Sequence, residues 1–208
     1  MPNLGVQEDI VKESPTKTKI RKVATALFSQ YGYKGTSVRK IASEVGIRES
    51  ALYNHFKNKE EIFLDIAKEI FSSPFSFNPQ EIQELALRGK PFLSKFTIHY
   101  KMATFDKNSE DMFRLLIIEL MQNQQLREQF MQHYHDANIK LLSEGFFIMM
   151  QNNLIKSYDP MMLAYEYIST LFYIRLQVTI LKFDAHGIGH LTTQFEKHVD
   201  FFWESIKV

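Results

Sequence analysis

The stretch "TSVRKIASEVGIRESALYNHF", residues 36–56, decides how the N-terminal part of this chain folds. Its apolar residues recur at the spacing of one helix face: Val38, Ile41, Ala42 and Val45. Gly46 follows as a C-terminal cap, and a third short helix is predicted over about residues 48–55. Two helices joined by a tight glycine turn match a helix-turn-helix, whose second helix enters the major groove of DNA.

Helices are also predicted on both sides of this stretch. An amphipathic helix precedes it and ends at Gly32, with apolar residues at positions 20, 23, 24, 27, 28 and 31. Asn58, with Glu61 three positions later, resembles a capping box and predicts the start of a fourth helix.

The rest of the chain is also predicted to be helical, so the fold class is all-α. The 208 residues contain only eight glycines and six prolines, and no period-2 alternation between turn pairs is sustained. The further helices are predicted at about 80–88, 91–105, 109–122, 124–153, 160–183 and 191–207. The proline- and serine-rich segment at 71–79 indicates a domain boundary.

Four segments follow from this pattern. They are a flexible arm (1–14), a three-helix helix-turn-helix domain (15–57), a connecting helix (58–74) and a larger helical domain (75–208). There is no cysteine, signal-peptide core or long uninterrupted apolar run, so a cytoplasmic protein is expected.

The charge is divided between the two ends of the chain. Residues 16–59 carry ten lysines and arginines against two acids, a net charge of +8, whereas the whole chain has a net charge of only +1. Such a division suggests a module that meets a polyanion, although a solvated basic face is the open alternative.

The third helix combines the side chains that read DNA. Leu52 and Phe56, four residues apart, are expected to point into the core, which leaves polar residues outside. Arginine forms paired hydrogen bonds to guanine and asparagine does so to adenine, whereas serine and tyrosine hydroxyls reach phosphate or base. The remaining exposed candidates are Arg48, Glu49, Ser50, Tyr53, Asn54 and His55.

At these residues the chain resembles a known family. The segment "IRKVATALFSQYGYKGTSVRKIASEVGIRESALYNHFKNKEEIF" (20–63) is similar to the N-terminal domain of the TetR family of bacterial transcriptional regulators. The resemblance implies a homodimer that binds a near-palindromic operator, usually as a repressor. It also implies a larger domain that binds a small molecule, and a fourth helix that carries the resulting change back to the DNA-binding heads.

The resemblance also implies roles for individual positions. Those that fall at base-contact positions are Arg39, Arg48, Glu49, Ser50 and Asn54. Those that fall at phosphate-contact positions are Thr36, Ser37, Lys40, Tyr53, His55 and Lys59, and Lys57 is added for its place at the start of the fourth helix. The family often has Ser where this chain has Arg48 and Gly where it has Ser50, so the bases recognised are open.

An apolar effector site is expected in residues 75–208. The candidate lining residues are Phe96, Tyr100, Phe113, Ile117, Met121, Tyr134, Tyr165, Tyr173 and Gln177. Glu119 and Arg175 stand inside apolar runs, where a bare charge is costly. They are expected to pair with each other or to line the pocket; a rim or interface position is the alternative.

The partners expected are double-stranded DNA, a hydrophobic effector and a second copy of the chain, but no membrane. The second copy is expected to pack against helices at about 160–183 and 191–207, because the first of these is apolar nearly all round. No catalytic motif, cofactor or metal site is indicated. The competing interpretation is a helical carrier of a hydrophobic molecule with non-specific nucleic-acid contact.

Overall fold

A computed structural model describes residues 14–71 and 77–208, without the side chains of residues 69–71, 133 and 134. Most of the expected arm and the segment 72–76 therefore lie outside the described residues. The described chain is built of helices, and its one β-type contact is an isolated bridge between Ile155 and Lys207. The all-α prediction is confirmed.

Eleven α-helices are found in the described residues: α1 (Pro15–Tyr31), α2 (Val38–Val45), α3 (Glu49–Leu52), α4 (Lys59–Phe71), α5 (Pro79–Ala86), α6 (Lys90–Phe105), α7 (Lys107–Glu119), α8 (Gln124–Gln129), α9 (Asp136–Gln151), α10 (Pro160–Phe183) and α11 (Gln194–Ile206). A π-helical segment, Phe130–His135, joins α8 to α9, and a 3₁₀ turn, Gly189–Leu191, precedes α11.

Short polar side chains begin several of these helices. The side-chain oxygens of Ser37 and Asn58 accept from the backbone N–H groups of Lys40 (3.1 Å) and Glu61 (2.8 Å). These bonds satisfy donors that a helix start leaves without a partner. The predicted start of α4 at Asn58 is thus found, and Ser37 caps α2 in the same way.

The N-terminal helices α1 to α4, called the head, share one apolar core with α7. Phe28, Ile41, Leu52 and Ile66 from the head are fully buried in this cluster. Residues of α7, including Leu115, belong to the same cluster, and α7 packs along α1. The head core is therefore completed by a helix that follows the predicted domain boundary.

The remaining helices, called the body (residues 77–208), enclose a second core between α5, α6, α9, α10 and α11. The Tyr167 hydroxyl lies 2.6 Å from the Thr97 Oγ1 atom and donates to the Leu93 carbonyl at 3.1 Å. Burial raises the pKa of the Tyr167 phenol well above its usual range, and the bond to Thr97 lowers it only partly. The hydroxyl therefore stays neutral, and its two hydrogen bonds join α10 to α6 inside the body core.

The predicted single helix at 124–153 is not uniform. Six of its residues, Phe130–His135, form a π-helix with i→i+5 hydrogen bonds. Each residue of a π-helix rotates the chain by a smaller angle than a residue of an α-helix does. The faces of α8 and α9 are consequently out of register, a change that the 3.6-residue period does not reveal.

Among the helices of the described residues, none has both the length and the hydropathy that a membrane crossing would require.

We predict that Gly145→Ala destabilises the body. An added Cβ would lie 2.3 Å from two ring atoms of Phe92, a fully buried side chain. Overpacking costs about 1–3 kcal/mol, whereas the better helix propensity of alanine returns roughly 1 kcal/mol. Urea unfolding should show a net loss in the free energy of unfolding.

Gly187→Ala is the control, because nothing lies within 4 Å of a Cβ at that position. Equal unfolding midpoints for the two variants would contradict the tight contact between α9 and Phe92.

Candidate nucleic-acid interface

The turn between α2 and α3 is set by one glycine. Gly46 has a left-handed backbone with φ of 80°, and its N–H donates to the Ala42 carbonyl at 3.0 Å. The Ile47 N–H donates to the same carbonyl, also at 3.0 Å. A side chain would strain this conformation, so Gly46 ends α2 and directs α3 across it.

The third helix is held by two apolar anchors and exposes its polar residues. Leu52 and Phe56 are 0% and 2% exposed, in agreement with the sequence prediction. The α-helical part is shorter than predicted, Glu49–Leu52, and turn hydrogen bonds continue it to Phe56. The predicted base-contact residues on this element are all exposed: Arg48, Glu49, Ser50 and Asn54.

Arg48 occupies the N-cap of α3 and makes no side-chain capping bond there. Because no side chain caps α3, this helix start is less stable by about 1 kcal/mol than one with a serine cap. The Arg48 side chain is exposed beside the exposed N-terminal turn of α3. Arg39, the fifth predicted base contact, is exposed on the second position of α2.

Five of the predicted phosphate contacts lie at the surface of the head. Ser37, Tyr53 and Lys57 are exposed, and Lys40 and His55 are half-buried. Tyr53 is 48% exposed, so it is not a core residue. The Lys40 ammonium lies 3.2 Å from the ring centroid of Tyr31, a contact that holds the cation at the start of α2.

Two other predicted phosphate contacts, the buried Thr36 and the half-buried Lys59, use their side chains to bond the loop between α1 and α2. Thr36 is 1% exposed, and its hydroxyl donates to the carbonyls of Leu27 (3.2 Å) and Gly32 (3.1 Å). The Lys59 ammonium donates to the carbonyls of Tyr33 (2.8 Å) and Thr36 (3.0 Å). Both side chains therefore stabilise the loop between α1 and α2 through bonds to backbone carbonyls.

Tyr33 is the junction between this loop and the body. Its backbone N–H donates to the Glu119 carboxylate at 2.8 Å, and its ring centroid lies 4.2 Å from the Lys59 ammonium. Burial raises the pKa of the Tyr33 phenol, and the carboxylates of Glu60 and Glu119 raise it further. Nothing in the local sequence signals this contact, because its partners are 86 residues apart.

The predicted effector-lining residues do not form a single group, although Tyr100 and Phe113 both lie beside the Arg175 guanidinium. Phe96 and Tyr100 belong to the body core, and Phe113 and Ile117 belong to or pack against the head core. Gln177 is half-buried, and the side chain of Tyr134 lies outside the described residues. Three others face outward, which argues against a role in an enclosed pocket: Met121 (78% exposed), Tyr165 (39%) and Tyr173 (59%).

Glu119 and Arg175 do not pair with each other, which corrects one of the two expectations. Glu119 accepts from Tyr33, whereas Arg175 donates to the carbonyl of Ser109 at 3.1 Å. Ser109 and Glu119 lie at opposite ends of α7, about 15 Å apart at 1.5 Å per residue. Both charged residues are buried, at 7% exposure each. Within the described part of the chain, no cluster of three or more His, Asp or Glu could hold a metal ion.

Comparison with known proteins identifies the family. The signature of bacterial regulatory proteins of the tetR family matches residues 20–66. The IcaR negative transcriptional regulator of the biofilm operon icaADBC in Staphylococcus epidermidis is 30% identical over 152 residues, which cover 72% of this chain and 73% of that protein. This chain belongs to the TetR family.

A second relative matches a shorter part of its own length, and a solved structure shares the fold. The HTH-type transcriptional regulator YerO of Bacillus subtilis is 32% identical over 118 residues, 55% of this chain, but the match spans only 40% of that protein. A transcriptional regulator from Saccharomonospora viridis, solved in complex with choline, has the same fold. Its TM-score is 0.68 at 18% identity, with 94% of this chain and all of that chain covered.

The chain is accordingly a DNA-binding transcriptional regulator and not an enzyme. In this TetR-family regulator, the matched segment 20–66 contains the exposed face of α3 and the inward-facing clamp formed by Thr36 and Lys59.

Lys57 and Lys59 are predicted to differ in role: Lys57 is exposed at the surface, whereas Lys59 stabilises the α1–α2 loop. We predict that Lys59→Met lowers the free energy of unfolding by about 1–3 kcal/mol, because two carbonyls each lose the charged ammonium as a donor. Lys57→Met should change stability by less than about 0.5 kcal/mol, since Lys57 is exposed. Thermal unfolding of both variants distinguishes them.

DNA binding tests the surface role of Lys57. Lys57→Met should weaken binding to all duplexes alike and reduce the salt slope by about 1. A stability loss at Lys57 equal to that at Lys59 would contradict these assignments.

Proposed function

We propose that this regulator is a repressor that binds a palindromic operator as a homodimer and leaves it when a hydrophobic effector binds in residues 75–208. One observation carries the proposal most strongly. Every predicted base-contact residue is exposed on the head, whereas Thr36 and Lys59, beside them in sequence, face inward. Repression is supported by the negative regulator IcaR among the relatives.

In the proposed complex, α3 lies in the major groove. Arg48 would read guanine and Asn54 adenine, with Ser50 and Glu49 beside them and Arg39 reaching in from α2. The surrounding Ser37, Lys40, Tyr53, His55 and Lys57 would contact phosphates and set the register. The net charge of +8 over residues 16–59 attracts the DNA backbone.

The proposed dimer forms through α10 and α11. The exposed apolar residues of α10 fall on one face about 120° wide at 100° per residue. They are Met161, Met162, Tyr165, Tyr173, Ile180 and Phe183, each at least 39% exposed. Phe201 on α11 is 77% exposed. A second copy related by two-fold symmetry would cover this face and set the distance between the two heads.

The proposed effector acts on the heads through α7. This helix is part of the head core at Leu115 and Leu116, and it holds the α1–α2 loop through Glu119. It also receives the Arg175 bond from α10 at Ser109. A ligand that binds better to one position of α7 would therefore shift the population of head orientations. As a regulator of bacterial transcription, the protein is proposed to work in the cytoplasm.

Selection of bound duplexes from a random pool tests the operator proposal. The wild-type protein should recover a palindrome, because two symmetric heads read two half-sites. Arg48→Ala and Asn54→Ala should each relax one position per half-site, at a cost of about 1–3 kcal/mol. Arg88→Ala, which removes an exposed arginine of the body, is the control and should leave the motif intact. Recovery of no motif, with binding that only falls steeply with salt, would mean non-specific contact.

The dimer proposal predicts that Ile180→Asp yields a monomer. A carboxylate on this face of α10 would be desolvated in the dimer without a partner. Sedimentation velocity measures the mass, and circular dichroism checks that the helices persist. Ile98→Asp is matched to it, because Ile98 is 52% and Ile180 53% exposed. A dimer in both variants would place the interface elsewhere.

A further inference from the structure

Arg175 is a buried cation with unused hydrogen-bonding capacity. It is 7% exposed on the inner face of α10, where one Nη2 N–H donates to the Ser109 carbonyl at 3.1 Å. Its Nε atom is buried and has no hydrogen-bond partner among the described residues. Buried donors of this kind are rare in folded proteins, because water is no longer there to satisfy them.

The nearby carboxylates are occupied by other cations. Glu110 accepts from Arg114 at 2.8 Å and from Lys182 at 2.5 Å. Asp111 accepts from Lys107 at 3.0 Å and from the Ser29 hydroxyl at 3.3 Å. Arg175 forms no ion pair with a described residue. The three cations that pair with Glu110 and Asp111 already outnumber these two carboxylates, so Arg175 adds a further positive charge to the contact between α7 and α10.

The surroundings of the Arg175 guanidinium are aromatic. Its central carbon lies 4.2 Å from the ring centroid of Phe113 and 5.7 Å from that of Tyr100. Ring faces attract a cation but supply no hydrogen-bond acceptor for its N–H groups. A guanidinium is planar and keeps its charge, which suits it to grip a carboxylate against an apolar wall.

We propose that Arg175 receives the carboxylate of an apolar effector, whose hydrocarbon part lies against Phe113 and Tyr100. The proposal rests on effector binding in residues 75–208 and names the effector's chemical class. A carboxylate brings one negative charge, which matches the single unpaired guanidinium. A phosphate monoester brings between one and a half and two charges, roughly, and would need a second free cation.

The site lies on the path from body to head. Ser109, which accepts from Arg175, is in the first turn of α7. The same helix contacts α1 through Asp111 and Ser29, and holds the α1–α2 loop through Glu119 and Tyr33. A carboxylate that competes with the Ser109 carbonyl for the guanidinium would loosen the α7–α10 contact.

Direct binding to the full chain tests the proposal without DNA. The probes are decanoate and the uncharged 1-decanol, each titrated by calorimetry below its aggregation limit. Wild-type protein should prefer decanoate by about tenfold to a hundredfold, as expected for a charge-assisted hydrogen bond. Arg175→Met should abolish this preference and leave 1-decanol affinity within about threefold, because the apolar wall remains.

Arg127→Met is the matched control. Arg127 also donates to backbone carbonyls, those of Leu120 and Met121, but at the other end of α7. It should keep the wild-type preference. Should Arg175→Met not fold, Arg175→Lys, which keeps the charge without the planar fork, should reduce the preference.

The proposal is overturned if wild-type protein binds 1-decanol as tightly as decanoate, or binds neither. It is also overturned if both ligands weaken alike in Arg175→Met, since that result describes a purely structural arginine. Failure of the operator proposal appears separately, as loss of a DNA motif while the preference for decanoate persists.

Discussion

The structure depends on the burial of α7 in the core of the head. Phe113, Leu115 and Leu116 come from a helix of the body, yet they are buried with the apolar residues of α1 and α4. The head therefore does not complete its own core. Closely packed apolar surfaces cannot slide past each other without losing contacts. A displacement of α7 therefore also displaces the helices that carry the DNA-facing residues.

Hydrogen bonds to the α1–α2 loop add orientation to the apolar contact between α7 and the head. The Glu119 carboxylate and the Lys59 ammonium reach the backbone of Tyr33 from two sides, one accepting from its N–H and the other donating to its carbonyl. Such charge-assisted bonds are stronger and more directional than apolar packing. They fix the orientation of the loop that leads into α2, and through Gly46 that of α3.

The polar groups of the protein thus divide by location into three kinds. The first group is exposed on α2 and α3 and is available to DNA. The second holds the head against the body. Arg175 represents the third, a buried charge that no described residue neutralises. Retaining such a charge in a core costs stability, which is the physical reason for linking it to a ligand rather than to folding.

The sequence by itself determined the local features: the helix periods, the cap at Asn58, the turn at Gly46 and the outward face of α3. These depend on residues within a few positions of one another, so periodicity and capping chemistry reveal them. Only the tertiary structure decided that Thr36 and Lys59 face inward, that Glu119 and Arg175 lie apart, and that α7 completes the head core. The partners in these contacts are distant along the chain, and their meeting follows from the packing of whole helices, which no local pattern encodes.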